Sequence, residues 1–157
     1  MTRTATCLWF DGTAEEAADF YVATIPRSRI LSRNRSASDW PSGRAGDVIL
    51  VEFELAGTPY QALNGGPFTE FTDAASISVA CADQAELDRI WAALLDGGEA
   101  MQCGWLRDRY GLRWQIVPAE FLEMLRGDPG PGLERAMTAM MGMVKLDMEA
   151  LRAAWRG

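Results

Sequence analysis

The chain has 157 residues, 48% hydrophobic and 24% charged, a mixture that is typical of one folded domain and excludes a wholly disordered protein. Its formal net charge of −7 argues against nucleic-acid binding, which needs a basic surface, and against attachment to anionic membranes. Histidine is absent, and this excludes a Ser-His-Asp triad, a Cys-His pair and every His-based zinc site.

The cysteines and the first residues indicate a reduced, cytoplasmic protein. Cys7, Cys81 and Cys103 are an odd number without a CxxC pair, so a disulfide framework is not expected. The opening segment MTRTATCLWFDG lacks the basic start and long apolar run of a signal peptide. No apolar run approaches the ~20 residues that span a bilayer, and we therefore expect no membrane partner.

The first predicted elements are a strand and a helix. Thr6–Phe10 is rich in residues that favour strands. Thr13 and Glu16 have the spacing of a capping box, which predicts that a helix begins there and runs through TAEEAADFYVATI.

A loop and two strands complete the first half. Arg33–Gly46 is polar and contains Pro and Gly, which predicts a mobile loop. Asp47–Leu55 alternates between apolar and polar residues, as a half-buried strand does. Gly57–Pro59 predicts a turn that leads into a further strand at Tyr60–Leu63.

The second half follows the same order. Ile77–Cys81 predicts a strand, and Asp83 with Glu86 forms a variant of the capping box at the start of a second helix. Gly97 predicts a left-handed stop at the end of that helix. The later strands are expected at Glu99–Trp105 and Leu112–Val117.

The two halves form an internal repeat. One constant offset places Thr13 on Asp83 and Glu16 on Glu86, and each half reads strand, helix and then two or three strands. The alternative is two unrelated strand-helix units that look alike by chance. The expected organisation is a single domain at 1–157, with module one at about 3–66, module two at about 73–118 and a helical tail at 119–157.

The tail differs from both halves because its helices present a Met-rich apolar face. Such a face predicts packing in the core or against another subunit, with a binding surface as the less favoured alternative. Asp147 is expected to cap a last short helix. The residues of the face are Leu133, Met137, Met140, Met141 and Val144.

Five stretches carry a resemblance to a known family. They are LWFDGTAEEAADFY, YQALNGGPFTEFTDAASISVAC, ELDRIWAALLDGGE, CGWLRDRYGLRWQIVP and RAMTAMMGMVKLDMEAL. In order and content they resemble the PhnB-like proteins, often labelled as the 3-demethylubiquinone-9 3-methyltransferase domain. This branch is part of the vicinal oxygen chelate superfamily of glyoxalases, bleomycin-resistance proteins and extradiol dioxygenases. The resemblance implies an α+β fold of paired βαβββ modules around a cleft, with a C-terminal helical tail, and commonly a homodimer.

The resemblance also implies where a ligand binds. Related metalloenzymes place four metal ligands on the first and last strands of each module, and these places correspond to Thr6, Gln61, Ser76 and Gln115. A neutral set of hydroxyls and amides brings no charge to balance a divalent cation, so we expect no metal. The four side chains then either bind a polar ligand or satisfy one another inside the protein.

Three further side chains are ligand-binding candidates with an ordinary structural alternative. Trp9 and Trp105 are candidates for the walls of a pocket, although tryptophans in a small domain more often belong to the core. Cys103 suggests a nucleophile, but without histidine its activation rests on an arginine or a helix end. A small buried side chain on a strand is the favoured interpretation of Cys103.

The predicted function is a metal-free small-molecule-binding protein that needs no cofactor. The alternative is a lyase, isomerase or dioxygenase of the same superfamily that recruits a metal through different ligands. A true methyltransferase is disfavoured because no glycine-rich loop follows the first strand, where an S-adenosylmethionine enzyme of the doubly wound class carries one.

Overall fold

The computed structural model describes residues 1–157, which form two compact units at Met1–Phe71 and Thr72–Gly157. Each unit contains one four-stranded mixed sheet. None of the helices has the length and apolar character that crossing a membrane requires.

Unit one is a βαβββ module. Its sheet has the strand order β1-β4-β3-β2, in which β1 and β4 are parallel and the other pairs are antiparallel. The elements are β1 Thr6–Phe10, α1 Ala14–Thr24, β2 Arg29–Arg35, β3 Val48–Leu55 and β4 Thr58–Asn64.

Unit two repeats this path and adds three helices. Its sheet has the order β5-β8-β7-β6, with β5 and β8 parallel. The predicted α+β fold of paired βαβββ modules with a helical tail is therefore confirmed. The elements are β5 Ile77–Cys81, α2 Gln84–Leu95, β6 Glu99–Ala100, β7 Trp105–Arg107, β8 Arg113–Pro118, α3 Ala119–Arg126, α4 Pro131–Met141 and α5 Met148–Arg156.

Strand β2 is an element that the sequence pattern missed. The predicted loop begins at Arg33, yet β2 continues to Arg35 and pairs with β3. Its sequence, RILSRNR, lies at the edge of the sheet and is mostly exposed, so it lacks the apolar alternation that marks a half-buried strand. The rest of the segment is held on β4, because Trp40 Nε1 donates to the Asn64 carbonyl at 3.1 Å.

The strand expected at Glu99–Trp105 is divided in two. Cys103 has φ +61° and Gly104 has φ +80°, and this left-handed pair interrupts the extended backbone between β6 and β7. Cys103 therefore lies in a loop, and the expectation that it sits on a strand is wrong.

The two modules begin their helices differently. Asp83 accepts a hydrogen bond from Glu86 N at 2.8 Å, as predicted, while the Glu86 carboxylate accepts one from Ala82 N. Thr13 provides no side-chain cap, which corrects the other prediction. The Asn64 side chain instead accepts from Ala14 N at 2.9 Å, so the cap of α1 comes from the end of β4.

Each helix of a module packs on one face of its own sheet. In unit one, the Tyr21 ring of α1 lies 6.5 Å from the rings of both Phe10 and Phe53. All three side chains are buried, and burial of each stabilises the unit by about 1.5–3 kcal/mol. The opposite face of the sheet carries no helix from this unit and is called its open face below.

The tail packs on the rest of unit two around Leu146, which is 1% exposed. Gln84 on α2 donates to the Leu146 carbonyl and accepts from Met148 N at 2.8 Å. Asp147 caps α5 by accepting from Ala150 N, as predicted. Within the predicted Met-rich face, the exposed members are Met137, Met141 and Val144.

Candidate functional site

The open face of the unit-one sheet carries a polar row that runs across all four strands. Strand register places Cys7 opposite Gln61, Gln61 opposite Glu52, and Glu52 opposite Ser32. Because side chains alternate along a strand, these four project from the same face, away from α1.

An adjacent row on the same face is mainly apolar. Trp9 lies opposite Leu63, Leu63 opposite Leu50, and Leu50 opposite Asn34. The three apolar side chains are half-buried. Neighbouring rows are two residues apart along each strand, so they are separated by on the order of 7 Å.

Glu52 is the only carboxylate in the polar row, and three neutral donors surround it. Ser32 Oγ donates to its carboxylate at 2.7 Å, and the amides of Asn34 and Gln61 approach it at 3.4 Å. These hydrogen bonds hold the pKa of Glu52 below its usual value, and the bond from Ser32 contributes most. Glu52 is therefore ionised at neutral pH. Glu54, two residues along β3, is instead paired with Arg29 at 2.9 Å.

Trp9 is held firmly beside these rows. Its indole Nε1 donates to the Gly66 carbonyl at 2.8 Å. A Cβ at Gly65 would collide with the Trp9 ring, so the ring lies directly against the backbone at that glycine. The indole is therefore positioned by contacts that only a glycine at residue 65 permits.

Thr6 does not join this face. The register pairs Thr6 with Tyr60, and alternation puts Thr6 on the side of β1 that carries Leu8 and faces α1. Cys7, one residue later, is the β1 side chain opposite Gln61. The expectation that Thr6 and Gln61 share a face is therefore wrong by one residue.

One face of the unit-two sheet brings together three of the predicted residues. Gln115 lies opposite Ser78 on one side and Trp105 on the other. Its amide Nε2 donates to Ser76 Oγ at 2.8 Å. Ser76 and Gln115 thus satisfy each other in part, and Trp105 supplies a half-buried aromatic neighbour.

Cys103 lies in the loop between β6 and β7, against the tail. Its backbone N–H donates to the Met143 carbonyl at 2.8 Å, and Gly104 N–H donates to the Val144 carbonyl at 2.7 Å. The Cys103 thiol lies 3.9 Å from the Met141 carbonyl. The tail therefore covers the loop that contains this cysteine.

A polar cavity of about 270 Å³ lies at the end of the unit-one sheet. Its size is below that of most ligand pockets, and many of its polar side chains are engaged by neighbouring backbone groups. Its lining residues are Gly12, Glu15, Arg35, Trp40, Ser42, Asp47, Val48 and Asn64.

The donor groups of the chain do not fit the divalent metal of the related metalloenzymes. Nowhere do three or more Cys, Asp or Glu side chains converge in a way that holds a metal ion. The polar row of unit one offers one carboxylate, Glu52, beside the neutral donor Gln61. Tight binding of a divalent ion needs more anionic or imidazole ligands than this.

The chain also does not fit S-adenosylmethionine in the manner of a doubly wound methyltransferase. Both sheets are mixed rather than parallel. The turn between β1 and α1, Asp11–Thr13, contains one glycine, Gly12, at φ +77°. It therefore lacks the glycine-rich loop that cradles such a cofactor.

Cys7, Ser32, Asn34 and Glu52 belong to the open face, although the sequence pattern does not single them out. One signal was present for Glu52. In β3 the buried residues Val51 and Phe53 alternate with glutamates, which places Glu52 on the face opposite the core. Finding its partners required the strand register, which the alternation alone does not provide.

Comparison with known proteins yields one family and several structural relatives. The family model described as 3-demethylubiquinone-9 3-methyltransferase matches residues 2–117. The Bacillus cereus PhnB protein, whose description carries that enzyme name, is 32% identical with a TM-score of 0.68, over 75% of this chain and 100% of that chain. A Pseudomonas aeruginosa protein is 19% identical with a TM-score of 0.59, over 73% of this chain and 95% of that chain. No curated protein matches this chain.

Proposed function

Since the chain belongs to the 3-demethylubiquinone-9 3-methyltransferase family, the PhnB-like branch that its sequence predicts, we propose that it is a metal-free small-molecule-binding protein. The observation that carries this proposal is the open face of the unit-one sheet. A polar row centred on Glu52 lies there beside a half-buried apolar row that includes Trp9. A few directed polar groups among apolar walls are the usual composition of a ligand site.

The second sheet supports the same function with weaker features. Gln115, Ser76 and Trp105 combine an amide, a hydroxyl and an aromatic ring on one face of the sheet. Gln115 Oε1 and the Ser76 hydroxyl are the groups that would engage a polar part of a ligand.

Two alternatives are less well supported. A lyase, isomerase or dioxygenase of the superfamily requires a metal, and no convergence of acidic or thiol ligands is available to hold one. Methyl transfer, which the family description names, requires a cofactor loop that the β1–α1 turn lacks. The proposal extends to a homodimer that acts in the cytoplasm.

Native mass spectrometry on gently purified protein tests the proposal. One spectrum reports the number of subunits, any bound metal and any retained organic molecule. We expect a metal-free dimer, a fraction of which carries an organic adduct. A stoichiometric divalent metal would overturn the metal-free function, and protein that retains no organic molecule at all would count against a binding role.

A further inference from the structure

We propose that Glu52 is the recognition group for an organic cation, so that the preferred ligand is an amphipathic amine. This inference rests on the small-molecule-binding function proposed above. The protonated amine binds the Glu52 carboxylate, and the apolar body of the ligand lies along the row of Leu50, Leu63 and Trp9.

The first support is that the carboxylate has donors but no counter-ion. Ser32, Asn34 and Gln61 orient it without neutralising its charge. Its neighbour Glu54 is neutralised by Arg29, so the chain pairs one glutamate of β3 and leaves the other without a cation. The Glu52 carboxylate has no cationic partner within the protein, and a cationic ligand would supply one.

The second support is that charge, rather than proton transfer, is what Glu52 offers. The three hydrogen bonds stabilise its ionised form and lower its pKa, and a carboxylate of lowered pKa is a weak general base at neutral pH. The same hydrogen bonds fix the carboxylate in one orientation. A fixed group that is ionised at neutral pH discriminates between ligands by their charge.

The third support is the distance between the two rows. The apolar row lies on the order of 7 Å from the polar row along the strands. A ligand that reaches both therefore has its amine separated from its apolar part by a short linker. A phenyl ring joined to an ammonium by two carbons has this form, and 2-phenylethanol is its uncharged counterpart.

The experiment measures binding of 2-phenylethylamine and 2-phenylethanol to the full chain by isothermal titration calorimetry at neutral pH and low salt. The wild-type protein is expected to bind the amine at least about tenfold more tightly than the alcohol, the factor for a charge-assisted hydrogen bond. Glu52→Gln is expected to remove this preference. The matched control Glu54→Gln removes an equal charge on the same strand and is expected to retain it.

Each outcome bears on the inference separately from the proposed function. Equal binding of the two probes to wild type, or a preference that survives Glu52→Gln, would overturn the role of Glu52 and leave the binding function intact. Failure of both probes to bind would also overturn the role of Glu52. The small-molecule-binding function is then tested separately, by whether the native mass spectrum shows a retained organic molecule. Circular dichroism of both variants confirms that they are folded.

Discussion

Replacement of Asn64 by alanine tests whether the cap of α1 comes from β4. The Asn64 side chain accepts from Ala14 N and donates to the Val48 carbonyl, both at 2.9 Å and both buried. Asn64→Ala removes both bonds, and each buried backbone group left without a partner costs about 1–3 kcal/mol. Asn64 borders the polar cavity, so water reaches part of the site and moderates the cost.

The expected loss in the free energy of unfolding is therefore about 2–4 kcal/mol, which lowers the melting temperature by about 5–12 °C. Urea unfolding followed by tryptophan fluorescence and far-ultraviolet circular dichroism measures it. Thr13→Ala is the matched control, since Thr13 makes no side-chain cap and its carbonyl still accepts from Ala17 N. We expect that change to stay within about 0.5 kcal/mol. A larger loss from Thr13→Ala than from Asn64→Ala would refute the reasoning.

Three further results are expected. Gly65→Ala should displace the Trp9 ring, shift its fluorescence and destabilise the protein by about 1–3 kcal/mol. An unchanged fluorescence spectrum would show that the added methyl group does not displace the ring. Burial chiefly raises the pKa of Cys81 to about 12, so at pH 8 it should react with a thiol reagent far more slowly than the exposed Cys7; equal rates in single-cysteine variants would contradict this. The pKa of Glu52 is lower in the folded protein than in the unfolded chain, so its contribution to stability is present above the unfolded pKa and is lost as pH falls through the folded pKa. Glu52→Gln should therefore flatten the acid side of the curve of unfolding free energy against pH, and an acid side that keeps its wild-type slope would exclude this contribution of Glu52.

The sequence predicted those elements whose signals are local. The strand Ile77–Cys81 and the cap at Asp83 were found because β-rich composition and the capping-box spacing lie within a few residues of the feature they mark. The α1 cap escaped prediction because Asn64 is 50 residues from Ala14, and only the folded sheet brings them together.

Strand register explains what the sequence could not predict about the candidate site. In β1, TCLWF, Cys7 and the residues after it are all apolar or weakly polar, so the sequence does not show which side chains face the helix. The partner strand decides this by placing Cys7, not Thr6, opposite Gln61. A shift of one residue is enough to exchange the two faces, and the site residues change with it.

The hydrogen bonds between the β6–β7 loop and the tail, from Cys103 and Gly104 to Met143 and Val144, determine where unit two can be cut for protein engineering. A Cβ on Gly104 would lie 2.9 Å from the Leu146 side chain and 3.0 Å from the Ile116 carbonyl, so loop and tail fit closely against each other. The family match ends at residue 117, which suggests that boundary for a transferable module. A chimera cut there would expose the backbone amides of Cys103 and Gly104 and the surface that Leu146 covers, whereas a graft that extends through α5 keeps them covered.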